Sequence, residues 1–190
     1  MTTNEAEIIL KDYKEKSNII KQIHSNKKSL YENWNLAFNI ITIVASLLLT
    51  VLGFINKDLL YDLFMKTNNP QIPEKASSLQ FFDFSFNLAV LFVLIISILN
   101  LIFRFQDKAF EHNRAIILFS NIIRDINEIK ITINSFTNNQ LDEKTSQISF
   151  RFSNIIDSIP SHSDQNFFTA KEDYYKKRDK SKEIDKKYNP

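Results

Sequence analysis

Two stretches of this chain carry no charged residue. From Asn33 to Asn56 there is no Asp, Glu, Lys or Arg, and the segment from Leu36 to Ile55 reads LAFNIITIVASLLLTVLGFI. From Phe84 to Phe103 the chain is again uncharged and reads FSFNLAVLFVLIISILNLIF. A helix rises ~1.5 Å per residue, so about 20 apolar residues cross the ~30 Å hydrocarbon layer of a bilayer. Core helices of soluble proteins are usually shorter and keep a polar face, and two of this length in so small a chain would have to bury each other completely. The pattern therefore predicts transmembrane helices over residues 34–56 and 84–104. The first is not a cleavable signal: it lies behind a charged segment and exceeds the ~7–15 residues of a signal core. No lipidation motif precedes it.

The flanking segments read as helices too. Residues 1–33 form an amphipathic helix with Ile9, Tyr13, Ile20, Ile23, Leu30 and, at its end, Trp34 as the apolar stripe, interrupted by Lys16 and Lys27. No Pro or Gly separates it from the first span, so one long helix is expected. The second span also continues without a breaker into a heptad-bearing helix over 105–137. One heptad position holds His112, Phe119, Ile126 and Ile133, and its partner holds Ala115, Ile122, Ile129 and Phe136. Ile116 and Ile123 widen the stripe, which favours a bundle over a strict two-stranded coil. This seam is the expected oligomer contact.

Thr137-Asn138-Asn139 reads as a turn, and residues 140–190 as C-terminal helices and a charged tail. One of these helices runs from about Asp142 to Ile159 and stops at Pro160. Ser163 or Asp164 caps the last, which carries Phe167, Phe168, Tyr174 and Tyr175 early and is solvated or frayed after Lys176. Residues 57–83 form a short loop, a brief helix plus a turn marked by Thr67-Asn68-Asn69, Pro70 and Pro73. The predicted fold is all-α: two transmembrane helices forming a hairpin, continuing into a cytoplasmic helical bundle.

Charge sets the expected orientation. Lys14, Lys16, Lys21, Lys27 and Lys28 precede the first span, and Arg104, Lys108, Arg114 and Arg124 follow the second. The loop offers only Lys57, Lys66 and Lys75 against Asp58, Asp62, Glu74 and Asp83. The positive-inside rule places both termini in the cytoplasm and the loop outside. Tyr31 and Trp34 mark the inner end of the first span, while Tyr61 and Phe81–Phe82 mark the outer face.

Composition then excludes chemistry. The 190 residues include no Cys, one Gly (Gly53) and four Pro. Disulfides, zinc-thiolate sites, cysteine nucleophiles and glycine-rich phosphate loops are absent. A net charge of +2 gives no global drive towards nucleic acid. The mean hydropathy of −0.21 averages two lipid-soluble segments with a charged remainder. His24, His112 and His162 have no His partner at helical spacing, so no helical metal pair arises. His24 reads as a solvated face residue near Lys27 and Lys28. His112, on the seam, reads as a packed or pH-titrating interface residue. His162-Ser163-Asp164 reads as a helix start, not part of a triad. No carboxylate pair stands out as an acid/base site. Lys176, Lys177 and Arg178 are offset by nearby Asp and Glu and read as a solvated face. The expectation is a non-enzyme without cofactor or metal and with no direct nucleic-acid contact.

One pattern within the spans asks for an explanation. Asn35, Asn39, Thr42, Ser46, Thr50 and Gly53 are spaced 4, 3, 4, 4 and 3 residues apart. At 3.6 residues per turn they occupy an arc of roughly 80°. Polar groups in hydrocarbon must face a partner helix or water. Helix packing and a hydrated pore wall both satisfy this, and packing can be the resting state of a pore. In the second span and just beyond it, Ser97, Asn100, Arg104, Lys108 and Glu111 share one face. That face reads as a positive-inside anchor or as a cationic ring at a pore mouth.

Taken together, the charged run KEKSNIIKQIHSNKKSLYENWN feeding the first span, the short outer loop, and the second span entering RFQDKAFEHNRAII resemble the SLATT domain. The segment IPSHSDQNFFTAKEDYYKK resembles that family's C-terminal region. The resemblance covers most of the chain and rests on architecture, not on a catalytic motif. It implies a two-transmembrane effector of bacterial nucleotide-signalling or reverse-transcriptase-associated anti-phage systems, in the inner membrane. Such an effector oligomerises and permeabilises or depolarises that membrane in abortive infection. Its trigger comes from an operon-encoded partner that makes or senses a nucleotide, or from a reverse transcriptase. A non-conducting anchor whose cytoplasmic bundle holds a partner protein is the alternative.

Overall fold

A computed structural model describes residues 1–54, 75–161 and 163–188. Within them every regular element is helical: α1 (Thr3–Phe54), α2 (Lys75–Phe103), α3 (Phe105–Ile131), a 3-10 turn (Ile133–Ser135), α4 (Asn138–Ser158) and α5 (Asp164–Tyr188). The chain is all-α and holds two helices long and apolar enough to cross a membrane. Expectations for Lys57, Asp58, Tyr61, Asp62, Lys66, Thr67 to Pro70, Pro73, Glu74 and His162 lie outside the described residues. The helix of the second window begins at Lys75, so the predicted loop is shortened from its C-terminal side.

The chain divides into two compact units, one formed by Met1–Tyr31 with Gln106–Pro190 and the other by Glu32–Phe105. The first is a helical bundle. Leu10 and Ile20 of α1, Phe119, Ile122, Ile126 and Ile129 of α3, and Ile148 of α4 form its main core, with Tyr13, Phe136, Phe152, Ile155 and Ile159 packed on them. Ala6, Ile133 and Leu141 extend it at one place, and Ile19, Ile23 and Ala170 at another. The centre of the face that α1 turns to this core is Ala6, Leu10, Tyr13, Ser17, Ile20 and His24, in alternating four- and three-residue steps, with Ile19 and Ile23 buried beside it. Ile9, Leu30 and Trp34 are exposed. Tyr13, Ile20 and Ile23 of the predicted stripe do lie in the core, and what the stripe leaves out includes the small or polar Ala6, Ser17 and His24.

Local chemistry sets the joints of the bundle. Thr137 is an N-cap, not a turn residue: its side chain accepts from the Gln140 backbone N–H, and the Gln140 side chain accepts from the Thr137 N–H. This capping box starts α4 at Asn138, ahead of the predicted start. Ile159 is extended (φ −107°, ψ 159°), as the residue before Pro160 must be, and α4 ends at Ser158. The Ser163 hydroxyl accepts from the Asn166 N–H at 3.3 Å, so Ser163 is the cap of α5. The charged end of α5 stays helical and exposed to Lys187.

The second unit is a pair of antiparallel helices. Asn39 meets Asn100, and a Cβ at Gly53 would stand 3.7 Å from Phe86. Fourteen residues forward on α1 match fourteen back on α2, so one register holds across two heptads. A half-buried seam runs through Asn35, Phe38, Thr42, Ala45 and Leu49 on α1 and through Phe82, Phe86, Val93, Ile96 and Asn100 on α2, with Ala37, Asp83 and Ser85 half-buried beside it. The seam's three- and four-residue steps match coiled-coil-like packing. The outward side chains are exposed, Leu47 by 61% and Phe92 by 62%. Every buried hydrophobic residue among those described belongs to the bundle, and none to this pair.

The second span does not run on unbroken. Arg104 takes φ +47° and separates α2 from α3. Its N–H still donates to the Asn100 carbonyl at 3.2 Å, so α2 closes its last turn at Arg104. A left-handed residue other than Gly costs about 1–2 kcal/mol. The composition gave no warning, since neither Gly nor Pro marks the break.

Candidate functional site

The polar stripe of α1 lies along the edge of the helix pair. Asn35 and Thr42 are half-buried, while Asn39, Ser46, Thr50 and Gly53 are exposed beside them. On α2, Asn100 is half-buried and Ser97 is exposed. The Asn100 Nδ2 amide donates to Asn39 Oδ1 at 3.0 Å, a side-chain hydrogen bond joining the two helices. The Thr42 hydroxyl donates to the Phe38 carbonyl (2.8 Å), Thr50 to Ser46 (2.7 Å) and Ser97 to Val93 (2.9 Å). These hydroxyls spend their hydrogens inside their own helices, which lets such residues sit in an apolar medium. Gly53 has ordinary van der Waals room for a methyl group, so the helix contact does not require glycine there.

Aromatic side chains gather near the Arg104 break. Phe105 lies 5.4 Å from Phe38, 5.4 Å from Phe103 and 6.4 Å from Trp34, centroid to centroid. Trp34 was legible from the sequence as an end marker. The gathering of Phe38, Phe103 and Phe105 beside it is not legible there. Of the predicted face of Ser97, Asn100, Arg104, Lys108 and Glu111, the first three lie in the helix pair and the last two in the bundle, with the left-handed Arg104 between α2 and α3. Lys108 lies in the bundle, its Nζ 5.7 Å from the Tyr31 ring centroid.

The heptad seam is a core, not an open oligomer face. Phe119, Ile122 and Ile126 are fully buried, and His112, Ile129 and Ile133 nearly so, while Phe136 packs half-buried against them. Packing against α1 and α4 of the same chain uses this seam up.

The histidines depart furthest from expectation. His24 is fully buried, not solvated, and its Nδ1 lies 2.7 Å from Nδ1 of His112. One ring therefore donates and the other accepts. Tyr31 stacks on His112 (5.5 Å, 7°) and Phe119 on His24 (6.5 Å, 20°). Burial holds the His112 pKa below its ordinary value, and Lys27 lowers it further, against a smaller opposing effect of Glu111. The pairing spans 88 residues of sequence, so no local motif shows it. Among the described residues no group of three or more His, Asp or Glu gathers as for a metal ion. No family model, curated protein or solved structure matches this chain.

Proposed function

We propose that this protein is a bacterial inner-membrane effector of an anti-phage system, with both termini cytoplasmic, that oligomerises and permeabilises the membrane when a partner or nucleotide signal activates it. The observation that carries the membrane part is the helix pair of the second unit. The charge-free windows of its helices cover about the thickness of a bilayer, leave most of their large apolar side chains exposed, and contribute no buried hydrophobic residue. At ~25 cal/mol per Å² of apolar surface removed from water, lipid is the favoured surroundings for such a pair. The polar edge of Asn39, Ser46 and Thr50 supports the pore part, since an assembly that turns these edges inward lines a path with polar groups. The resemblance to SLATT domains supplies the biological setting, including the operon-encoded partner.

The experiment is membrane potential read by a dye after induction with the native neighbouring genes. Depolarisation on activation is the expected result, lost in the variant Asn39→Leu with Thr42→Leu and Ser46→Leu while membrane insertion is retained. Cells that stay polarised while the system still protects them would refute the pore.

A second reading is a non-conducting anchor whose bundle holds a partner at the membrane. It is favoured by the inward-satisfied hydroxyls of Thr42, Thr50 and Ser97 and by the Asn39–Asn100 pair, which leave the edge content without water. An anchor tolerates the triple leucine variant with full protection.

A further inference from the structure

We infer that the His24–His112 pair is an acid-released clamp between α1 and α3 of the bundle. It is the one hydrogen bond joining two imidazoles among the described residues, and it lies in a site walled by Phe119 and Tyr31. Its place gives it leverage. α1 and α3 are the two helices by which the chain leaves the bundle, at Tyr31 and Gln106. His24 is two helical turns before the first of these points, and His112 is fewer than two turns beyond the second.

The proton count decides the behaviour. With both rings neutral, one Nδ1–H donates to the other Nδ1. A first added proton makes a cation in a buried site, where burial and Lys27 both oppose it. A second puts N–H on both Nδ1 atoms, so two like-charged donors face each other and no hydrogen bond remains. Lys27 of α1 and Glu111 of α3 act on His112, and Lys108 of α3 lies over the Tyr31 ring that stacks on it. Glu111 alone among these is acidic. From α5 the titratable Tyr174 packs on the neighbouring Ile19 and Ile23. From α4, Ile155, Ile156 and Ile159 are apolar.

The sign follows from linkage. The folded His112 pKa is depressed, so the clamp is fully effective above the ordinary value of 6.5 and is lost as pH falls from there through the folded value. Within that window the closed-to-open ratio falls about tenfold per pH unit for each proton that only the open form binds. The clamp is a property of the bundle and operates whether or not the helix pair conducts.

The natural chain has no cysteine, so Ser29→Cys on α1 and Arg114→Cys on α3, both exposed, take spin labels selectively in the full chain in nanodiscs. The inter-label distance, read by electron double resonance, is expected to widen between about pH 7.5 and about pH 5. It is expected to stay constant when His24→Phe and His112→Phe are combined. No widening in the natural background, or equal widening without the histidines, overturns the clamp. If the double variant does not fold, imidazole nitrogen NMR of the natural protein decides. A coupled titration whose first step lies below the ordinary histidine range supports the clamp, and two independent titrations near 6.5 overturn it.

Discussion

Replacing Ile126 by Ala separates a core from an oligomer contact. Ile126 is fully buried among Leu10, Ile20, Phe119, Ile122 and Ile148, all of the same chain. The substitution removes three carbons, about 2.4 kcal/mol at ~0.8 kcal/mol per buried methylene-sized group. Neighbours in a bundle held from several sides relax only partly, and the cavity raises the loss to about 3–4 kcal/mol, within the range for Ile→Ala in cores. The assay is chemical denaturation in mild detergent, followed by helical circular dichroism over a wide range of protein concentration. The midpoint should fall by the same amount at every concentration, and Ile117→Ala, at an exposed position on the same helix, should change stability by less than about 0.5 kcal/mol. If Ile126→Ala is nearly neutral at high concentration and costly only on dilution, the seam joins copies and its assignment to the bundle core is wrong.

Three further outcomes follow from single features. Arg104→Gly should be tolerated or raise the melting temperature, because Gly adopts φ +47° without the side-chain penalty, whereas Arg104→Val should lower it by the equivalent of about 1 kcal/mol or more. Thr137→Ala removes the capping box and should cost about 1 kcal/mol, seen as faster hydrogen exchange in the first turn of α4. In a double-mutant cycle in bilayers, Asn39→Leu and Asn100→Leu should couple by about 0.6–1.7 kcal/mol; a coupling near zero would mean the pair is not formed there.

Much of the architecture could be read from charge and periodicity. Charge-free windows located the apolar helices because an apolar helix in lipid leaves a long compositional signature. The seam residues Phe119, Ile122, Ile126 and Ile129 were found because 3–4 spacing marks a buried stripe, but periodicity does not say whose helix covers it. α1 shows Tyr13, Ile20 and Ile23 of its buried face in the sequence and hides the rest, because Ala6, Ser17 and His24 contribute to it and none of them looks like core. His24 was misjudged from its neighbours Lys27 and Lys28, which lie one turn on along the same helix, while its partner is 88 residues away. The Arg104 break was invisible because a left-handed residue at a helix junction is usually announced by Gly, and here Phe103 and Phe105 flank an arginine instead. The polar edge was visible, yet hydroxyls bonded to carbonyls one turn back are shown only by coordinates.

The central claim is that the helix pair lies within a bilayer. Spin labels placed singly at Leu47 and at Phe92, in the otherwise cysteine-free chain reconstituted in nanodiscs, report it through collision with apolar oxygen and a water-soluble nickel chelate. Both sites should collide far more with oxygen than with nickel, and a label at exposed Ser29 should do the reverse. Nickel accessibility at Leu47 and Phe92 equal to that at Ser29 would place the pair in water and contradict the account.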